Sequence, residues 1–83
     1  MYLMKIEILG PGCANCQKLM TNVEKALGEM DVQAELEKIT ELPRILERGV
    51  LTTPALSIDG KVVMTGRVPS VEEIKKIVHQ QIS

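Results

Sequence analysis

The chain has 83 residues, 45% of them hydrophobic and 25% charged, which is enough for one domain with one modest core and the balance of an ordinary soluble globular protein. Ten basic and eleven acidic residues, spread without blocks, leave no electrostatic footprint for nucleic acid and no polybasic anchor for a membrane surface. Tyr2 is the single aromatic residue, so Leu, Ile, Val and Met must build the core, and no apolar run approaches the ~20 residues of a membrane span.

In chain order, Leu3 to Leu9 reads as a strand, stopped by Gly10-Pro11-Gly12. From Ala14 to Glu29 the spacing of Leu19, Val23, Ala26, Leu27 and Met30 predicts an amphipathic helix. Val32 to Glu37 alternates with period two and predicts a strand near a sheet edge, its polar face being so charged. Thr40 is expected to cap a short helix running to Glu47 or Arg48, with Leu42, Ile45 and Leu46 inward and Gly49 as its stop. Ala55 to Ile58, the turn Asp59-Gly60, and Lys61 to Met64 predict an antiparallel hairpin with a type I′ turn. Ser70-Val71-Glu72-Glu73 has the form of a capping box opening a last helix, whose inward face is Val71, Ile74, Ile77, Val78 and Ile82.

The predicted order is therefore β-α-β-α-β-β-α, an α/β fold with a four-stranded mixed sheet flanked by three helices, in a single domain over residues 1–83. A right-handed crossover makes the opening strand central and parallel to the second. The first strand-to-helix turn then lies at the carboxyl end of a parallel strand, where open α/β sheets keep their functional groups. That turn carries both cysteines of the chain, in Gly12-Cys13-Ala14-Asn15-Cys16. The start of the chain lacks the features of a secretory signal, so a cytoplasmic address is expected.

At a helix start, unpaired amides and the positive end of the helix dipole favour thiolate over thiol, which makes Cys13 the expected nucleophile. Cys16, one turn on, is close enough to close a disulfide and is the expected resolving thiol. Two thiolates at this spacing also suit a soft metal such as Cu(I). The stretch Cys13 to Cys16 with Val23 to Leu27 resembles the first half of heavy-metal-associated copper chaperone domains. Those domains place Met two residues before the first cysteine and end helix then strand, whereas this chain has Pro11 there and ends hairpin then helix. A structural zinc site needs further ligands that His79 alone cannot supply.

Taken together, the element order, the C-x-x-C and the Thr53-Pro54 ahead of the hairpin resemble the thioredoxin superfamily in its smallest, glutaredoxin-sized form. Ile8-Leu9-Gly10 before the cysteines, Thr52 to Leu56, Ile58 to Val63 and Gly66 resemble its redox-active disulfide proteins. That resemblance implies thiol-disulfide exchange with no cofactor beyond the Cys13-Cys16 disulfide and no bound metal. It implies a disulfide-containing protein substrate and an upstream reductase as partners of a monomer. It also implies a cis bond before Pro54, with Thr53 as a backbone docking residue and Gly12 and Gly66 flanking the substrate. Glu7, six residues before Cys13, matches a buried acid that takes a proton from the resolving cysteine, with Lys5 or Lys38 as its expected partner. Arg67 and a lone Gly66 stand where glutaredoxins bind glutathione, so that property is not implied. Ala14-Asn15 also replaces the usual pair between the cysteines. A soft-metal carrier and a non-catalytic partner-binding module of the same fold remain the alternatives.

Overall fold

The computed structural model describes residues 4–12 and 14–82. They form β1 (Met4–Leu9), α1 (Ala14–Met30), β2 (Ala34–Ile39), α2 (Leu42–Glu47), β3 (Ala55–Ile58), β4 (Lys61–Thr65) and α3 (Val71–Ile82). The sheet order is β2-β1-β3-β4, with β1 parallel to β2 and antiparallel to β3, and β3 antiparallel to β4. This is the predicted α/β architecture. Cys13 lies outside the described residues, as do Leu3 and the side chain of Ile82.

Alternation along β1 divides the sheet into two unlike faces. Met4, Ile6 and Ile8, with Leu56 and Ile58 of β3, pack against Leu19, Val23, Ala26 and Leu27 of α1 and against Ile74 and Val78 of α3. Each such side chain removed from water contributes about 1.5 to 3 kcal/mol before entropy is counted. The opposite face carries a smaller cluster, Leu9, Ile39 and Ala55 beneath Ile45 and Val50. A bulge between Leu56 and Ser57 shifts the β3–β4 register. Val62 consequently faces the small cluster, while Val63 and Met64 both pack with the large one.

Helix ends account for the differences from the sequence reading. After α1, Asp31 adopts φ +55, the Val32 amide donates to the Leu27 carbonyl (3.1 Å) and the Asp31 amide donates to Gly28 (3.4 Å). This Schellman closure consumes Val32, so β2 starts at Ala34, two residues later than the alternation predicts. The same device ends α2. Gly49, at φ +78, donates to Leu46 (2.9 Å) and Val50 donates to Ile45 (3.4 Å).

The start of α2 differs from expectation too. Its N-cap is Glu41 rather than Thr40, with no side-chain cap and a proline in the first turn. Leu42 and Leu46, expected inward, are 63% and 51% exposed, because so short a helix meets the sheet only through Ile45. At α3, Ser70 Oγ accepts the Glu73 amide (3.2 Å), but the Glu73 carboxylate turns to Arg67 (3.1 and 2.8 Å) instead of closing the capping box. The hairpin turn holds Asp59 and Gly60 at φ +52 and +83, as a type I′ turn requires. The Asp59 carboxylate accepts the Lys5 amide (2.9 Å), which ties that turn to β1.

Candidate functional site

The site grows from the end of β1. Gly10 continues the parallel ladder by donating to the Ile39 carbonyl (2.9 Å) and is buried where α1 folds back over the sheet. A Cβ at Gly10 would collide with Cys16 Sγ and would lie 3.8 Å from the Pro54 Cα. The bare Cα of Gly10 is thus the meeting point of β1, the first turn of α1 and the segment before β3. Cys16 is 3% exposed there, while Gly12, at φ +92, is exposed with open space where a side chain would stand.

The Thr53–Pro54 peptide is cis, Pro54 is buried and Thr53 is half-buried. The Pro54 carbonyl accepts the Gly66 amide (2.9 Å), and Gly66 holds φ +78 with Thr52 Cγ2 3.0 Å from where its Cβ would be. Of the predicted site residues, Cys16, Thr53, Pro54 and Gly66 therefore come together through Gly10, and Gly12 lies on the turn just before α1. In the sequence Gly10 stands as a strand stop and within the resemblance, not as a packing requirement. Nothing local in the sequence marks it, because its requirement comes from an α1 sulfur and a proline 44 positions away.

Glu7 is 2% exposed, and its partner is neither Lys5 nor Lys38. Arg48, the C-cap of α2, grips it with Nε to Oε1 at 3.1 Å and Nη2 to Oε2 at 2.7 Å. The reason is the facing of the strands. Glu7 shares the α2 side of the sheet with Leu9, while Lys38 pairs with Ile8 in register and faces the other way. Lys5 is on the correct side but reaches Glu37 instead (3.3 Å), which Arg44 also holds (3.1 Å). The hydrogen bonds to Glu7, then its charge, push the Arg48 guanidinium above its ordinary value against the cost of burial. Alternation also sets Glu7 on the opposite side of the sheet from Gly10 and Cys16.

A mixed sheet covered on both faces, with C-x-x-C at the β1–α1 junction and a cis proline that meets the second cysteine's neighbourhood at Gly10, defines a thioredoxin-like α/β protein. The family model described as Thioredoxin domain matches residues 4–79. The chain is 52% identical over 75 residues to a thioredoxin of Methanothermobacter thermautotrophicus, covering 90% of this chain and 97% of that protein. It is 40% identical over 74 residues to a thioredoxin of Methanocaldococcus jannaschii, covering 89% and 85%. The chain belongs to the thioredoxin domain family.

Proposed function

We propose that the chain is a thiol-disulfide oxidoreductase that cycles Cys13 and Cys16 between dithiol and disulfide. The observation that carries this reading is the burial of Cys16 against Gly10, beside the cis Thr53–Pro54 peptide. Cys13 directly precedes the first residue of α1, and its thiolate attacks one sulfur of a substrate disulfide, whose other sulfur leaves and takes a proton. Cys16 then loses its proton and attacks the Cys13 sulfur of the mixed disulfide. A second substrate thiol departs, two electrons have passed to the substrate, and the chain is left with a Cys13-Cys16 disulfide. An upstream reductase restores the dithiol.

In this reading Thr53 offers its backbone to an extended substrate segment. Gly66 and Gly12 keep the approach clear of side chains. Glu7, on the opposite side of the sheet from Cys16, is the proposed acceptor of the Cys16 proton. The chain acts as a monomer and needs no cofactor beyond its own sulfurs.

The test uses Cys16→Ser with a protein disulfide such as insulin. The variant is expected to accumulate a mixed disulfide at Cys13 while the wild-type chain turns over. No adduct, with Cys13 still open to alkylation, would overturn the assignment. Glu7→Gln is expected to slow the Cys16-dependent step, and an unchanged rate removes Glu7 from the mechanism.

A further inference from the structure

A groove of about 550 Å³ runs between the second half of α1 and the start of β2, at the end of the sheet away from Gly10 and Cys16. Leu27, Val32, Ala34 and Leu36, buried or half-buried, line it together with the exposed carboxylates Glu24 and Asp31. Gly28 lies in its wall without a positive φ, and nothing stands within 4 Å of where its Cβ would be. Glycine weakens a helix relative to alanine, and here neither conformation nor packing calls for it. Its effect is to leave the groove open.

The groove borders a sheet edge. β2 pairs with β1 on one side and, among the described residues, with no strand on the other. Ile39 offers its carbonyl to Gly10, so by alternation Glu35, Glu37 and Ile39 point their backbone groups at β1, whereas Ala34, Leu36 and Lys38 point theirs outward. Ala34 and Leu36 thus present both an unladdered backbone to the edge and an apolar side chain to the groove. The charges here are of one sign. Glu24, Asp31 and Glu35 have no ion pair among the described residues, while Glu29 is held by Lys75 and Glu37 by Lys5 and Arg44. Lys38, the one cation of β2, lies toward its other end. Two copies paired edge to edge through β2 would crowd the same carboxylates together, which disfavours self-association.

We propose that the β2 edge and its groove are a docking surface for an extended segment of a partner protein in which apolar residues alternate with lysine or arginine. The segment adds a strand beside β2 and bonds to the outward backbone of Ala34, Leu36 and Lys38. Its apolar side chains enter the groove over Ala34 and Leu36, and its basic ones meet Glu35, Glu24 and Asp31. Docking here leaves the Cys13-Cys16 turn uncovered.

The experiment titrates the chain with a short acetylated, amidated peptide alternating valine with lysine and reads amide exchange along β2 by NMR. With the peptide at about ten times its dissociation constant, exchange at Leu36 and Lys38 is expected to slow about tenfold, while Glu35 and Glu37, already bonded to β1, change little. Glu35→Lys is expected to weaken binding about threefold, and a peptide alternating valine with glutamate is expected not to bind. Gly28→Leu fills the groove with a better helix former and is expected to abolish binding without lowering thermal stability.

If Gly28→Leu fails to fold, Glu35→Lys, on an exposed side chain, carries the test. The proposal is overturned if protection does not alternate along β2, if the acidic peptide binds equally, or if folded Gly28→Leu binds as the wild-type chain does. Peptide-induced shifts confined to Gly10, Gly12 and Thr53 would place the peptide at the cysteine turn and overturn it too. A concentration-dependent dimer that protects Leu36 and Lys38 without peptide would make a second copy the occupant and overturn it in favour of self-association.

Discussion

The two faces of the sheet are built on different principles. Under α1 and α3 the contacts are apolar throughout, from Met4 and Ile6 to Ile74 and Val78. Under α2 a five-residue cluster shares the surface with a buried carboxylate and the ion pairs of Glu7 and Glu37. The first face supplies most of the folding energy. The second has less apolar area to lose and carries charge close to the end of β1, where Cys16 packs. The difference teaches that in so small a chain apolar packing and buried charge are assigned to opposite sides of one sheet.

Leu19→Ala should cost the most, about 3 kcal/mol by denaturant unfolding, because Leu19 is 0% exposed between α1 and the sheet. Gly10→Ala comes next, at about 2 kcal/mol, because a new Cβ must displace the Cys16 sulfur, and disulfide turnover should fall with it. Ile45→Ala should cost no more than about 2 kcal/mol, since the smaller cluster can close around the gap. Its amide exchange should quicken in α2 before β1. An Ile45→Ala as costly as Leu19→Ala would abolish the contrast between the faces. Leu42→Gln and Leu46→Gln should each stay within about 0.5 kcal/mol of the wild-type chain, because both leucines point to solvent.

The smallest effect concerns acid. Lys75 beside Glu29, Arg44 beside Glu37 and Arg67 beside Glu73 hold these carboxyls below their ordinary value of 4.5. A depressed carboxyl stabilises the fold above its unfolded value, and that contribution disappears as pH falls through the lower folded value. The urea midpoint should therefore drop modestly below about pH 4.5, and the drop should shrink in high salt because these pairs are exposed. A midpoint that rises on acidification would contradict the sign.

What the sequence made legible followed from local rules. Helical spacing of Leu19, Val23 and Leu27, the Asp59-Gly60 turn and the Ser70 cap each depend on neighbours a few positions away, and α1, the hairpin and α3 stand where those rules put them. The start of β2 moved because Val32 is drawn into the closure of α1, a hydrogen-bond choice that period-two alternation cannot see. Leu42 and Leu46 are exposed where the spacing predicts them inward, because amphipathic spacing does not say how much of a six-residue helix the sheet will cover. At the site, the cysteine spacing and Pro54 were visible, whereas the need for Gly10 and the choice of Arg48 over Lys5 or Lys38 arise only when distant segments share one face.

The most direct measurement is the redox titration of the wild-type chain in a glutathione buffer, followed by mass spectrometry of the peptide spanning Cys13 and Cys16. The account predicts a single two-electron transition in which that peptide loses two hydrogens and closes on itself. Stable glutathione adducts on the cysteines, without internal closure at any buffer ratio, would contradict it.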